Sequence, residues 1–284
     1  MQQRSLGDRT VGAIGLGAMP LSIDGRPDEE QAVRTVHAAL DAGVTLVDTA
    51  DAYSLGADDV GANERLLAAA LAAWSGDRDD VLVATKGGHT RTPDGGWALD
   101  GSREHLRAAC EASLKALGVE AIGLYQFHRP DPQVPWAESV GALEELRQEG
   151  KVRMVGVSNA DPDQIREAQA ITQLVSVQNE LSPRFRSSEP ELELCTAEGI
   201  AFLPWSPLGG IGSAADLGSA HTAFAEVARA RGVSPQQVCL AWLLAKSPVV
   251  VSIPGARRVE SILDSVAAAE LELTADELAS LDAR

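Results

Sequence analysis

Short apolar runs alternate with amphipathic stretches along the whole chain. Eight runs of four to seven residues are rich in apolar and β-branched residues, which is typical of buried strands. We expect strands at residues 13–16, 45–48, 81–86, 121–127, 154–158, 174–178, 201–204 and 249–253. Between these runs, apolar residues recur at helical spacing, as at Leu106, Cys110, Leu114 and Leu117.

The alternation predicts parallel strands, because a helix between two strands returns the chain to the same end of the sheet. Eight such units in 284 residues match the size of a (β/α)8 TIM barrel, an α/β fold, in one domain spanning residues 1–284. A turn signal at residues 6–8 predicts a short N-terminal hairpin that closes the barrel bottom. Residues 273–281, with a capping box from Thr274 to Glu277, predict an extra C-terminal helix.

A doubly wound open sheet with a dinucleotide-binding fingerprint is the competing architecture. Gly15 and Gly17 could begin such a fingerprint. However, Pro20 stands where the third glycine belongs, and no helical pattern begins there. We therefore prefer the barrel.

Charge restricts the partners of this protein. Its formal net charge is −17, from 41 acidic and 24 basic residues, and the acidic residues are dispersed over helix-like stretches. This balance argues against nucleic acid and against an anionic membrane surface as partners, but it allows a small ligand. We expect a monomer or a weak homo-oligomer.

Cysteine usage and apolar run lengths point to the cytoplasm. Cys110, Cys195 and Cys239 each lie in an apolar helical pattern without CxxC spacing, so buried thiols are expected rather than disulfides or a metal site. No run is long enough to span a membrane, and residues 11–23 lack the features of a signal peptide. A cytoplasmic protein follows.

Four reactive side chains follow the second, third and fourth predicted strands. Asp48 and Tyr53 follow the second, Lys86 ends the third and His128 follows the fourth, so in a barrel they share one rim. An adjacent ammonium favours a phenolate, so Lys86 is expected to lower the pKa of Tyr53, while Asp48 keeps Lys86 protonated. His128 can then hydrogen-bond a carbonyl oxygen. With no activated Ser or Cys nucleophile and no metal-ligand cluster in the sequence, these residues favour carbonyl chemistry with an external reductant.

These four residues resemble the catalytic tetrad of the aldo-keto reductases, and the resemblance covers essentially the whole chain. In that family the tyrosine is the general acid of an NADPH-dependent carbonyl reduction on a (β/α)8 barrel. The resemblance therefore implies that this chain binds NADP(H) and reversibly reduces an aldehyde or ketone to an alcohol, with Tyr53 as the acid.

Other positions resemble the cofactor site of the same family. Ser158, Asn159 and Gln178 match residues that hold the nicotinamide carboxamide, and Trp205 matches an aromatic residue that stacks on the nicotinamide ring. The remaining matches to cofactor-binding positions are Ser206, Leu208, Gly209, Arg257, Arg258 and Asp264. Because a guanidinium binds a phosphate in a bidentate manner, the two arginines favour NADP(H) over NAD(H), unless they only cap a helix or face solvent. The glycine-rich residues 209–213 are either a lid over the pyrophosphate or a flexible loop.

Three apolar residues on the expected mouth loops suggest the shape of the substrate. Met19, Trp97 and Trp136 predict an aromatic-lined pocket for an aryl or heteroaromatic aldehyde, with ordinary packing as the alternative.

Within the family, four segments are most similar to bacterial pyridoxal reductases (pyridoxine dehydrogenases), which makes pyridoxal a candidate substrate. These segments are residues 84–88, 105–114, 128–132 and 177–179. The similarity weakens at residues 54–62, which lengthen a loop beside the expected pocket.

Two other functions remain open from the sequence. One is an NADP(H)-binding regulatory subunit with vestigial activity, as the potassium-channel β subunits of that family are. The other is an aldolase that forms a Schiff base on Lys86, although this leaves the Trp205 and Arg257 motifs without a use.

Overall fold

A computed structural model describes residues 1–283. The strands are β1 (Gln3–Leu6), β2 (Arg9–Gly12), β3 (Leu16–Gly17), β4 (Leu46–Asp48), β5 (Leu82–Gly87), β6 (His89–Arg91), β7 (Trp97–Leu99), β8 (Ile122–Phe127), β9 (Val152–Ser158), β10 (Leu174–Gln178) and β11 (Ala201–Phe202). The helices are α1 (Glu29–Asp41), α2 (Ala62–Ala73), α3 (Arg103–Leu117), α4 (Trp136–Gln148), α5 (Pro162–Ile171), α6 (Glu189–Glu198), α7 (Leu217–Ala220), α8 (Thr222–Arg231), α9 (Pro235–Lys246), α10 (Val259–Ala267) and α11 (Ala275–Asp282).

Seven strands form one parallel sheet in the order β3, β4, β5, β8, β9, β10, β11. Residues 250–255 run beside both edges of this sheet. Val250 forms a parallel bridge with Phe202 of β11, and Ser252 forms one with Ile14, just before β3. The sheet therefore closes into the predicted (β/α)8 barrel, in which the eighth predicted strand appears only as isolated bridges.

The N-terminal hairpin fills the bottom of the barrel, as predicted. Strands β1 and β2 pair in antiparallel fashion, and Gly7 provides the left-handed conformation that their turn needs (φ +59°). Leu6 and Val11 are buried in one cluster with inward-facing strand residues such as Leu46 and Leu124. These contacts anchor the hairpin to the barrel interior.

Helices cover the outside of the barrel because each presents an apolar face to the strands. In α3, Leu106 and Cys110 are buried in the cluster that contains Tyr125 of β8. Gly118 ends α3 in the left-handed conformation (φ +68°) that favours glycine. The predicted C-terminal helix is present as α11, and both hydrogen bonds of its capping box are formed.

The three cysteines are free and buried in α3, α6 and α9. Burial raises the pKa of the Cys110 and Cys195 thiols to about 12, which makes both poor nucleophiles at neutral pH. Among residues 1–283, no helix is long and apolar enough to cross a membrane.

A second hairpin was not evident from the sequence. Strands β6 and β7 pair in antiparallel fashion between β5 and α3, so the chain does not pass directly from strand to helix there. This hairpin begins two residues after β5 ends and brings His89 and Trp97 beside the carboxyl ends of the barrel strands.

Gly87, at the end of β5, offers a test of the packing between strands. A Cβ at this position would lie 2.1 Å from the hydroxyl oxygen of the buried Tyr125. We expect Gly87→Ala to lower the free energy of unfolding by about 1–3 kcal/mol, because the ring has to move in a filled core. Chemical denaturation measures this change.

Gly141 provides the matched control inside α4. Nothing lies within 4 Å of its Cβ position, so Gly141→Ala is expected to raise the free energy of unfolding by about 0.5–1 kcal/mol. If both variants shift stability in the same direction, the packing explanation for Gly87 is refuted.

Candidate active site

A cavity of about 270 Å³ opens at the carboxyl ends of the barrel strands. Eleven of the residues singled out from the sequence line it: Met19, Asp48, Tyr53, Trp97, His128, Ser158, Asn159, Gln178, Trp205, Ser206 and Leu208. Lys86 lies fully buried against this wall, bonded to Asp48 and Tyr53. The cavity lining does not include Gly209, Trp136, Arg257, Arg258 or Asp264.

The Lys86 ammonium is the centre of the site. Its Nζ lies 2.6 Å from Asp48 Oδ2, 2.8 Å from the Thr49 carbonyl oxygen and 3.0 Å from the Tyr53 hydroxyl oxygen. These three acceptors match the three N–H groups of an ammonium. Because Lys86 donates to the Tyr53 oxygen, the phenolic proton is left to point elsewhere.

Strand alternation explains why these groups meet. Side chains at every second position of a strand face the same side, and Leu46 and Asp48 of β4 face the barrel interior together. Ala84 and Lys86 of β5 do the same. The apolar layer of inward-facing residues at the bottom is thus followed by a polar layer at the top.

The charge on Lys86 is preserved by its partners. Burial alone lowers the pKa of the Lys86 ammonium, but Asp48 and Tyr53 outweigh burial and raise that pKa above its ordinary value. The second oxygen of Asp48, Oδ1, accepts from Gln178 Nε2 at 2.8 Å and from Gln126 Nε2 at 3.3 Å. The carboxylate is therefore bonded through both oxygens.

Two opposing effects set the pKa of Tyr53. Burial raises the pKa of the Tyr53 phenol above its ordinary value, and the Lys86 ammonium offsets only part of that rise. The contribution of Lys86 has the expected direction, but burial outweighs it, because taking a phenolate out of water costs more than one ammonium returns. Tyr53 keeps its proton at neutral pH, which is the state that a general acid requires.

Two neighbouring histidines are neutral. His128 is buried, with its ring edge-on to Tyr53 at 5.6 Å and to His89 at 4.3 Å between centroids. Burial, Lys86 and other nearby cationic groups lower the pKa of His128 well below its ordinary value, and burial and Arg129 lower the pKa of His89 to about 4. A neutral imidazole retains one N–H donor for a ligand.

Two more carboxyl groups lie on the outer side of β4 and β5. Glu64 of α2 accepts from the Thr85 hydroxyl at 2.6 Å. Burial and Glu64 raise the pKa of Asp51 well above its ordinary value, and burial also raises the pKa of Glu64. Asp48 supplies the carboxylate that Lys86 contacts.

The residues predicted to hold a carboxamide converge beside this centre. The Ser158 hydroxyl donates to the Gln178 carbonyl oxygen at 2.7 Å. Asn159, in the left-handed conformation (φ +58°), donates to the His128 carbonyl oxygen at 3.0 Å and accepts from the Trp205 indole at 3.2 Å. Gln178 uses its Nε2 for Asp48, and its Oε1 forms no hydrogen bond within residues 1–283.

A turn rich in free donors follows Trp205. Gly209 N–H donates to the Ser206 carbonyl oxygen at 2.8 Å. Within the described part of the chain, the N–H groups of Leu208, Gly210 and Ile211 have no hydrogen-bond partner. Such a turn suits an anionic group, because unpaired N–H groups carry partial positive charge.

The two predicted phosphate-binding arginines are placed differently. Arg257 donates through Nη2 to the Asp24 carbonyl oxygen at 2.9 Å and through Nε to that of Pro20 at 3.3 Å, so it braces the loop after β3. Arg258 precedes α10, which begins without a side-chain cap. Arg258 and the uncapped N–H groups of α10 remain available to an anion.

Two predicted residues have structural contacts. Asp264 accepts from Ser234 at 2.7 Å and from Gln237 at 2.5 Å, which ties α10 to α9. Trp136 packs on Phe127 and donates to the Gln164 carbonyl oxygen at 2.9 Å, joining α4 to α5. The prediction that Trp136 forms a pocket wall is therefore wrong.

The long loop at residues 54–62 supports one wall of the cavity. The carbonyl oxygen of Leu55 accepts from Arg91 Nη2 at 3.1 Å, and the Arg91 guanidinium lies 4.1 Å from the Trp97 ring centre. Arg91 thus connects Trp97 of the β6–β7 hairpin to this loop.

Several residues of the site were not anticipated. Asn63 donates to Ser22 Oγ at 2.7 Å and accepts from Thr49 at 2.5 Å, and Ser22 donates to the Tyr53 carbonyl oxygen at 2.6 Å. His89, Arg129 and Ile211 line the cavity. Arg129 and Ile211 had a sequence signal, since Arg129 directly follows His128 and Ile211 lies within the glycine-rich residues 209–213.

Comparisons with known proteins agree with this geometry. The profile of the Aldo/keto reductase family matches residues 13–284. An uncharacterized oxidoreductase of Schizosaccharomyces pombe is 36% identical over 98% of this chain and 88% of its own length. Pyridoxine 4-dehydrogenase of Escherichia coli is 33% identical over 98% of this chain and 96% of its own. A crystal structure of an aldo/keto reductase from Klebsiella pneumoniae with NADP and acetate superimposes with a TM-score of 0.82 at 28% identity, covering 99% of this chain and 94% of that one.

The buried ion pair leads to a stability prediction. We expect Lys86→Met to lower the free energy of unfolding by about 3–5 kcal/mol, because Asp48 is left as a buried carboxylate without its cation. The double variant Lys86→Met, Asp48→Asn removes that charge and is expected to recover most of the loss. Urea unfolding at pH 7 measures the coupling between the two positions, and a double variant no more stable than Lys86→Met would speak against it.

Proposed function

The chain belongs to the aldo/keto reductase family and is an NADP-dependent oxidoreductase, and we propose that it reduces an aldehyde or ketone to an alcohol with Tyr53 as general acid. The observation that carries this proposal is the Lys86 ammonium, which donates to both Asp48 and Tyr53 at the wall of the cavity. Membership of the family indicates carbonyl reduction, and the hydrogen bond from Lys86 to Tyr53 supports Tyr53 as the acid.

The donors and acceptors present fit NADP(H). Gln178 Oε1, together with Ser158 and Asn159, offers partners for a carboxamide, and the Trp205 ring lies at the same wall. The unpaired N–H groups of Leu208, Gly210 and Ile211 suit the pyrophosphate. When bound, the reduced cofactor supplies a hydride to the carbonyl carbon.

Recognition of the 2′-phosphate is assigned to Arg258 and the uncapped start of α10. Arg257 and Asp264 support the cofactor site indirectly. Arg257 holds the loop after β3, and Asp264 ties α10 to α9. This division refines the expectation that both arginines contact the phosphate.

Proton transfer follows from the hydrogen bonds at Tyr53. Its oxygen accepts from Lys86, so its own proton is free to pass to a carbonyl oxygen in the cavity. The phenolate that forms lies 3.0 Å from the ammonium, which stabilises the negative charge as it develops. Neutral His128 donates a hydrogen bond to the same carbonyl oxygen and orients it toward Tyr53.

The cavity wall favours an aromatic substrate. Met19, Trp97 and Ile211 line it, and aromatic and sulfur-containing side chains pack well on aryl rings. The relationship to pyridoxine 4-dehydrogenase of Escherichia coli makes pyridoxal a specific candidate.

The other functions considered from the sequence lack support. A Schiff base requires a neutral amine, whereas Lys86 is fully buried, has a raised pKa and donates to three acceptors. No observation within residues 1–283 favours a regulatory subunit. Multiple turnovers of NADPH oxidation with a carbonyl compound would exclude that role.

The role of Tyr53 is tested by removing its hydroxyl group. We expect Tyr53→Phe to lower kcat about 10²–10⁴-fold, the usual contribution of a general acid, while the Kd for NADPH changes little. Steady-state kinetics with pyridoxal or benzaldehyde measures the first quantity, and quenching of tryptophan fluorescence measures the second. Residual kcat above a tenth of the wild-type value would remove Tyr53 from this role.

Cofactor preference is tested at the two arginines. We expect Arg258→Ala to raise the KM for NADPH about tenfold or more, because charge-assisted hydrogen bonds to phosphate are lost, and to leave the KM for NADH unchanged. Arg257→Ala is expected to affect both cofactors alike, since it loosens the loop after β3. An unaltered ratio of the two KM values in Arg258→Ala would rule out its phosphate contact.

A further inference from the structure

The guanidinium of Arg129 lies in the wall of the cavity. Arg129 directly follows His128 at the end of β8, and its Nη2 donates to Asn159 Oδ1 at 3.1 Å. The same Asn159 oxygen accepts from the Trp205 indole. Because Asn159 and Trp205 both line the cavity, the guanidinium is placed where a ligand passes.

Arg129 has no carboxylate partner within residues 1–283. Many other arginines form ion pairs, among them Arg26, Arg65 and Arg147, but no Asp or Glu oxygen lies within 4.0 Å of the Arg129 guanidinium. Burial raises the pKa of nearby Glu180, and Arg184 and Arg129 offset only part of that rise without forming an ion pair with it.

The other ionisable groups at the cavity do not neutralise Arg129. Asp48 already bonds to Lys86 and to two glutamine side chains. His89 and His128 are neutral, and both feel the positive charge of Arg129. A partly buried guanidinium without a counter-ion is unfavourable, and an anionic ligand group removes that penalty.

The cofactor does not need Arg129 for its own anionic groups. Its pyrophosphate and 2′-phosphate are assigned to the N–H groups of residues 208–211 and to Arg258 with the start of α10. Arg129 lies instead beside His128, where the carbonyl group of a substrate is oriented. The missing anion therefore belongs to the substrate.

We propose that Arg129 is a specificity residue that binds a compact anionic group, a carboxylate or a phosphate, on the carbonyl substrate. The substrates of this enzyme are accordingly aromatic aldehydes that carry an acidic group. The inference rests on the proposed function, because it assigns the substrate class of that same site.

The test compares acidic aldehydes with neutral counterparts of similar shape. The substrates are 2-, 3- and 4-carboxybenzaldehyde, each against its methyl ester, and pyridoxal 5′-phosphate against pyridoxal. The enzymes are the wild type, Arg129→Gln and Arg129→Lys, with Arg166→Gln as the matched control. Arg166 lies exposed on α5 and is not part of the cavity lining, and its loss changes the net charge equally.

For at least one pair, the wild type is expected to prefer the acidic member by about ten- to a hundredfold in kcat/KM, the range of one charge-assisted contact. Arg129→Gln is expected to abolish this preference by raising KM for the acidic member, so that the kcat/KM values for the acidic and neutral members become similar. Arg129→Lys keeps part of the preference, and Arg166→Gln keeps all of it. The pair that loses most identifies the anionic group as carboxylate or phosphate.

Three results would overturn the inference. They are a wild type without preference for any acidic member, equal losses for the acidic and neutral members in Arg129→Gln, and a similar loss in Arg166→Gln. Equal losses accompanied by weaker NADPH binding would place Arg129 in support of Asn159 and the cofactor instead.

Failure of the proposed function is recognised separately. If the wild type oxidises NADPH with none of these aldehydes, the reductase proposal itself fails. Calorimetric titration with benzoate in the presence of NADPH then still tests Arg129. Weaker binding by Arg129→Gln than by Arg166→Gln supports the anion contact, and equal binding refutes it.

Discussion

The structure of this site depends on one buried ammonium. Lys86 has no exposed surface, so each of its N–H groups must meet an acceptor inside the protein. Asp48, Thr49 and Tyr53 supply the three acceptors, and all come from the end of β4 and the segment that follows it. Gln178 and Gln126 in turn hold the far oxygen of Asp48. Closing the sheet into a barrel is what brings four strands close enough for this arrangement.

The same constraint limits charge in the surroundings. Burial raises the pKa values of Asp51 and Glu64 and lowers those of His89 and His128, so it shifts each of these groups toward its neutral form. Lys86, paired with Asp48, is the cation that contacts Tyr53. A phenol that stays protonated but sits against an ammonium is suited to give up its proton only when a carbonyl oxygen begins to accept charge.

Much of this architecture is predictable from the sequence. The strand runs and the tetrad positions Asp48, Tyr53, Lys86 and His128 follow from local patterns, because strand alternation and the shared rim of a barrel convert spacing into proximity. Contacts that depend on tertiary packing do not follow. Trp136 is an aromatic residue of the kind that often lines pockets. Its indole N–H instead donates to the Gln164 carbonyl oxygen of α5.

The direction of the net pKa shift of Tyr53 could not be predicted from the sequence either. It depends on how completely the barrel removes the phenol from water, and Tyr53 is only 7% exposed. The contacts of Arg257 could not be predicted for a similar reason. The carbonyl oxygens of Pro20 and Asp24, to which it donates, lie more than 200 positions away in the chain. The β6–β7 hairpin is short and partly exposed, so its residues carry little apolar pattern.

The Lys86 ammonium, 3.0 Å from the Tyr53 oxygen, is expected to stabilise the Tyr53 phenolate. The protein has two tyrosines, so replacing Tyr125 with phenylalanine and incorporating a fluorotyrosine leaves a single fluorine reporter at position 53. Its ¹⁹F NMR titration, with and without Lys86→Met, measures the effect of Lys86 on the pKa directly. We expect the titration to move to higher pH when Lys86 is lost. A midpoint that stays in place or moves to lower pH would contradict this expectation.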